Sequence, residues 1–348
     1  MSNASHDFWS EALKSFPPAT RPPRRGLVLG ALLLVLFLFL LLVTWTVLGL
    51  YWARRPSPPI VEPPRRVVVL LYHHLAPGHL IVNPHNTVSP ERFDEQLGWF
   101  KAHGYETITL AELRAYMTGE PLPPSPGALA ASPSPTRWAW RPDWLSPTRW
   151  PWRRGPRQRK PGVLPPRPLV ITFDDGYQSN YVYAYPILRK YGYHASIDLI
   201  VSSVRDGPAA SFDPAVLSYL SWDEVREMAR SGLVDFQSHT YDLHREGPDG
   251  VPLTLSRPAP EVLADLIRAK AVIESETGQP VLALAYPYGR HPPELERLAL
   301  EAGYGLGLTI DDGYVHRGDA VMAVKRFILS MDDTPGRLSE RFADGTRP

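Results

Sequence analysis

LVITFDDGY, residues 169–177, packs an apolar run, two adjacent carboxylates and a glycine turn into one short stretch. The run Leu169 to Phe173 reads as a strand covered on both faces, the pattern of a parallel sheet. Successive side chains of a strand point to opposite faces. Asp174 and Asp175 can therefore converge on one site only where the strand ends and bends, and Gly176 permits the bend. Two close carboxylates repel, and a nearby cation relieves that repulsion. Asp-Asp-Gly is equally good turn chemistry, so the stretch needs partners before it means a site.

Outward from this stretch, strand and helix patterns alternate. VVVLLY (Val67 to Tyr72) reads as a buried strand, and Ser89-Pro90-Glu91 opens a helix with a cap and a proline in its first turn. Glu106 to Thr109 is a short strand, and Thr109 with Glu112 forms a capping box for LAELRAYMTG. After residue 177 come a mostly helical YQSNYVYAYPILRKYG, the strand HASIDLIV, a helix capped by Ser221 and Glu224, and the strand LVDFQS. A long helix from about Pro260 to Thr277, LALAY, a helix PPELERLALEAG and the strands LGLTI and VKRFILS follow. Such alternation implies an α/β fold with a mainly parallel sheet and right-handed crossovers. Seven or eight strands favour a distorted (β/α)7–8 barrel, in which reactive groups sit just after strands.

Several further motifs meet that condition. In SHTYDLH (238–244), His239 and His244 share no face of a straight strand or helix, so a turn must curl one back beside the other. Neutral imidazoles suit zinc and similar ions, and two of them with one carboxylate leave positions open for water and substrate. AYPYG (285–289) offers apolar walls for a sugar in Tyr286 and Pro287, and backbone N–H groups for an oxyanion. His73 and His74 follow the first strand and are candidates to line the substrate. Thr309-Ile-Asp-Asp-Gly-Tyr314 repeats the first pattern, yet no histidine pair follows it, and it reads as a turn.

The remaining segments set the chain's context. Residues 26–52 carry no charge between Arg25 and Arg54, which is long enough for a membrane span and too long for a cleaved signal core. Trp45, Tyr51 and Trp52 lie where interfacial aromatics belong. Residues 1–25 are then expected to be a cytoplasmic tail, 26–52 a signal anchor, 53–65 a stalk and 66–348 an extracellular domain at the cell membrane. Basic residues flank the span almost equally, so orientation rests on the expected substrate. Residues 121–168 break the rhythm with prolines and a duplicated SPTRW, and read as a low-complexity insertion. Arg137, Trp138, Trp140, Arg149, Trp150 and Trp152 there are candidates for polymer or membrane contact. The 348 residues contain no cysteine, so any metal must be held by histidine and carboxylate. A net charge of +1 gives no argument for a nucleic-acid partner.

TFDDGY, SHTYDLH and AYPYG, in this order, resemble the first three motifs of the polysaccharide deacetylases, carbohydrate esterase family 4. VLLYHHL is similar to the opening of the branch that acts on poly-β-1,6-N-acetylglucosamine, and the likeness runs from about Arg66 to Arg337. The resemblance implies that Asp174 is the catalytic base, that Asp175, His239 and His244 hold a divalent metal, and that the Tyr288 backbone N–H serves the oxyanion. Zinc is the expected ion, with nickel, cobalt or iron as alternatives. The implied reaction is N-deacetylation of an extracellular N-acetylglucosamine polymer, with acetate released by attack of metal-activated water. Peptidoglycan, chitin-like or O-acetylated glycans are alternative substrates, and a catalytically weak polysaccharide-binding barrel is an alternative function. Two departures stand out: Ala285 occupies the place of an arginine that braces the base in most of the family, and no histidine follows His316 to match the late acid motif.

Overall fold

The apolar alternation becomes, in a computed structural model, one curled parallel sheet with helices packed outside it. The structure describes residues 24–53, 66–81, 83–121, 164–207 and 211–342. Two compact units divide at residue 62.

In the first unit, α1 (Arg24–Ala53) is a single helix. Its side chains are described over 32–46 and 48, where leucine, valine and phenylalanine are exposed on every face. Thr44 and Thr46 turn their hydroxyls back onto carbonyls of the preceding turn. Among the described residues no helix is long and apolar enough to cross a membrane. The expected span over 26–52 is therefore not supported by the described residues.

In the second unit the strands are β1 (Val68–Tyr72), β2 (His74–Leu75), β3 (Thr87–Val88), β4 (Glu106–Thr107), β5 (Pro168–Phe173), β6 (Ala195–Leu199), β7 (Val234–Ser238), β8 (Ala283–Ala285), β9 (Leu306–Leu308) and β10 (Phe327–Ile328). The main sheet runs β10-β1-β5-β6-β7-β8-β9, with β4 added to the start of β5, and every pairing is parallel. Among the described residues its end strands β9 and β10 do not pair, and backbone bonds from residues 307–311 to the segment 321–326 join the two ends, so the expected closed barrel is a sheet curled most of the way round. The strand VKRFILS shortens to Phe327–Ile328, because Arg326 at its head donates its backbone N–H to Asp311 instead of to a strand partner.

The main helices of the unit are α2 (Pro90–Ala102), α3 (Leu110–Thr118), α4 (Tyr185–Tyr191), α5 (Trp222–Arg230), α6 (Ala259–Thr277), α7 (Pro293–Glu301) and α8 (Pro335–Phe342), with a single further turn at Leu253–Ser256. Ser89 caps α2, and the capping boxes Thr109–Glu112 and Ser221–Glu224 open α3 and α5, each with both reciprocal bonds formed. YQSNYVYAYPILRKYG departs from regular helix, since Asn180–Ala184 is π-helical before α4 begins.

The period of two sorts the strand side chains into two layers. Val68, Leu70, Tyr72, Leu169, Ile171 and Phe173 join the helices in one cluster, while Val67, Val69 and Val170 join Ala283, Ala285, Leu306 and Leu308 in the other. Thr172 and Asp174 continue the face of Val170. The basic-aromatic residues Arg137, Trp138, Trp140, Arg149, Trp150 and Trp152 lie outside the described residues, as do residues 1–23 of the tail and 54–65 of the stalk.

Candidate active site

Each of the first three motifs leaves its strand through a left-handed residue that is not glycine. Asp175 has φ 75°, Thr240 φ 74° and Tyr288 φ 56°. Such positions cost about 1–3 kcal/mol each and concentrate where function constrains the backbone. At Gly176, φ 76°, an added Cβ would stand 2.7 Å from Leu199 Cδ2, so both the dihedral and the space require glycine there. The bend it permits sends Asp174 and Asp175 to one end of the sheet.

Asp175, His239 and His244 meet there with one ligand atom each, all within 4.8 Å of one another. Asp175 Oδ1 lies 3.5 Å from His239 Nε2 and 3.7 Å from His244 Nε2. These gaps exceed a hydrogen bond. They match the spacing of about 3.4 Å between ligands that each stand about 2.1 Å from a tetrahedral zinc. His239 Nδ1–H donates to the Ala285 carbonyl at 2.8 Å, which fixes the ring and leaves Nε2 as the free lone pair. Ala285 thus orients a candidate ligand through its backbone. The residues fit a divalent ion bound by two imidazoles and one carboxylate.

Burial pushes the His244 imidazole down to about 4, helped by His239 and partly opposed by Asp175 and Asp174. A depressed histidine is neutral, as a metal ligand must be. The sign for stability follows directly. Below its ordinary value of 6.5 the unfolded chain binds a proton that the folded chain refuses, so folding weakens as pH falls from about 6.5 to about 4. His73 and His74, lowered first by burial, act in the same direction. The urea midpoint of chelator-treated protein is expected to be lower at pH 5 than at pH 7, with a smaller difference in His244→Gln. An identical pH slope in the two proteins would contradict this.

Asp174 is nearly inaccessible and is gripped by an arginine the motifs do not contain. Arg326 Nη1 and Nη2 donate to its two oxygens at 2.7 and 2.9 Å. Nε donates to the Thr309 carbonyl at 2.7 Å, and Nη1 also donates to Thr172 Oγ1 at 3.1 Å. The brace expected to be missing with Ala285 is therefore present, supplied from the head of β10. Burial alone would raise the Asp174 carboxyl; the charge and hydrogen bonds of Arg326, with His239 and His73 nearby, hold it far below the usual carboxylate range. Thr309-Ile-Asp-Asp-Gly-Tyr is a turn as expected, with a structural use: its Thr309 carbonyl seats the arginine.

Beyond Arg326 stands Asp198 of β6, fully buried, with Oδ2 3.5 Å from Nη1. Among the described residues no donor reaches either of its oxygens. Burial first, then the charge of Asp174, raises this carboxyl well above its ordinary value. The motifs missed both residues. Asp198 within HASIDLIV and the Lys325-Arg326 pair at the start of VKRFILS, charges in segments read as buried strands, were the available signal.

His73 enters the site partly exposed, with its Nδ1 buried and without a partner among the described residues. His74 is engaged elsewhere: Ser179 Oγ is 2.9 Å from its Nδ1, and its ring meets the edge of Tyr177. Tyr288 is 39% exposed and stacks on His244 with ring centroids 4.8 Å apart. Tyr286 and Pro287, expected to wall a sugar, are buried. Tyr286 lays its face on His291 at 5.4 Å, because its position beyond β8 turns it into the sheet rather than toward solvent.

Residues 162–307 match the polysaccharide deacetylase family. The poly-β-1,6-N-acetyl-D-glucosamine N-deacetylase of Staphylococcus aureus is 23% identical over 256 residues, covering 74% of this chain and 72% of that protein. Among solved structures, IcaB from Ammonifex degensii superposes with a TM-score of 0.57 at 23% identity, covering 79% of this chain and 96% of that one. The Streptococcus pyogenes deacetylase PplD, solved with acetate, gives 0.57 at 20% identity over 80% and 98% of the two chains. At these identities the superpositions speak for the fold.

Proposed function

From a chain that belongs to the polysaccharide deacetylase family, we infer a metal-dependent N-deacetylase of an N-acetylglucosamine polymer. The observation that carries the reading is the cluster of Asp175, His239 and His244 beside an ionised Asp174. Poly-β-1,6-N-acetylglucosamine is the favoured polymer, supported by the S. aureus relative that bears its name. Zinc is the favoured ion, because neutral imidazole and carboxylate are its ordinary ligands.

When bound, the ion supplies a water of lowered pKa and polarises the acetamide carbonyl. Asp174, kept ionised by Arg326, accepts the proton of the attacking water. His73, whose buried Nδ1 has no partner among the described residues and which Asp174 and Asp175 influence electrostatically, is our candidate for the group that protonates the leaving amine. Tyr288 stands at the mouth, where its backbone N–H serves the oxyanion and its ring covers His244.

The same reading places the catalytic unit outside the cell, tethered by residues 26–52 as a single span with the N-terminus inside. Support comes from the uncharged run of residues 26–52, the apolar side chains exposed on every face over 32–46, and the internally bonded threonines. Recovery of the full-length chain in the soluble fraction of a cell lysate would remove the anchor.

The test of the chemistry is metal content and acetate release from N-acetylglucosamine oligomers, for the full-length wild type and His244→Ala. We expect one zinc per chain and acetate from the wild type. In the variant, metal affinity falls at least about tenfold, and release falls with it. Undiminished acetate release from His244→Ala would overturn the metal-dependent reading.

A further inference from the structure

His239 and His244 are five residues apart, and the segment between them must curl for both to face Asp175. The curl has backbone costs of its own, since Thr240 sits at φ 74°. What holds it comes from outside the motif. Asp265, in the middle of α6, accepts the Tyr241 backbone N–H on Oδ1 at 2.8 Å and the Asp242 N–H on Oδ2 at 2.9 Å. One turn further along the same helix, Arg268 lies over the Tyr241 ring, 3.7 Å from its centroid. On the other side, Val201 N–H and Ser202 N–H donate to the carbonyls of Thr240 and Tyr241, at 3.2 and 2.8 Å.

We propose that Asp265 is a positioning residue for the metal centre, fixing the curl that returns His244 to His239 and so setting the affinity for the ion. The inference rests on the metal-binding reading above and deepens it. A carboxylate accepting two consecutive backbone N–H groups is a charge-assisted clamp, with an oxygen aimed along each bond. It touches neither ligand and carries no part of the chemistry. Its helix is anchored in the core through Val262, Leu266, Ala269 and Ile273, so the clamp is rigid at its root. An asparagine would keep the shape but set an amide NH2 against one of the two N–H groups, leaving two donors facing each other.

The experiment is zinc titration calorimetry on full-length chelator-treated protein, in four forms: wild type, Asp265→Asn, His244→Ala and the double variant. Asp265→Asn is expected to weaken zinc binding by about 10- to 100-fold, the range found when groups that orient metal ligands are removed. In the His244→Ala background the same substitution is expected to cost less than about threefold, because the ligand it positions is already gone. A merely structural carboxylate would cost the same in both backgrounds, and that result, or wild-type affinity in Asp265→Asn, overturns the proposal. Should Asp265→Asn not fold, Asp265→Glu takes its place: its longer arm displaces the curl, and wild-type affinity there overturns the proposal too. A wild type that binds no zinc or other divalent ion brings down the functional reading first, and is distinguished by the wild-type titration alone.

Discussion

Asp174→Asn is expected to lower acetate release by about 10³-fold or more while leaving zinc uptake within about threefold of wild type. Asparagine keeps the size of the side chain but cannot accept the proton of the attacking water, and a general base contributes about 10²–10⁴ in rate. The metal cluster uses Asp175, whose oxygen faces the two imidazoles, so the ion should stay. The substitution removes the carboxylate that two Arg326 nitrogens grip. Asp198, 3.5 Å from the same guanidinium and now relieved of Asp174's charge, is in place to ionise and take over the pairing. The variant should therefore fold with a midpoint near that of the wild type. His73→Ala in the same assay should lose at least about tenfold in kcat, with KM little changed. Acetate release by Asp174→Asn at more than about a tenth of the wild-type rate would sink the assignment of the base.

Arg326→Ala is expected to be the most disruptive single change in the catalytic unit, and its effects should depend on pH. The guanidinium is fully buried, and it is the cation that burial obliges Asp174 to have. Removing one partner of a buried pair costs about 3–5 kcal/mol, because the survivor's charge is left uncompensated. Asp174 has a cheaper course, which is to protonate. Its carboxyl, held down by Arg326, would rise under the burial that already opposes ionisation, and a protonated Asp174 is no base. Activity at neutral pH should fall about 100-fold and recover in part as pH rises, since the acid limb of the kcat/KM profile moves to higher pH. Arg326→Lys should recover little, for an ammonium is a point charge and cannot reproduce the two parallel bonds to Asp174. An Arg326→Ala enzyme with the wild-type pH profile would show that the arginine does not tune the base.

Arg326 also marks how far the sequence could be read. The strand ends, helix caps and motif order were legible because each is written within a few residues: Ser221 with Glu224, or Asp174 beside Gly176. The candidate ligand set was legible for the same reason, with Asp175 in one short motif and both histidines in another. Arg326 and Asp174 are 152 positions apart, and no local pattern joins them. The same holds for Asp265, one acidic residue among several on a long helix until the loop it clamps is seen.

Local sequence determined that this chain alternates strand and helix and that its carboxylates and imidazoles lie at strand ends, while the family resemblance of the motifs singled out Asp175, His239 and His244 as the candidates for a metal. The tertiary structure decided which distant residues support them. Curling the sheet brings the C-terminal ends of β5 and β6 and the start of β10 to one point, and a buried carboxylate there must have a cation whatever its distance along the chain. The arginine absent from its usual motif was replaced across the sheet because burial demands a counter-charge and is indifferent to the strand that provides it.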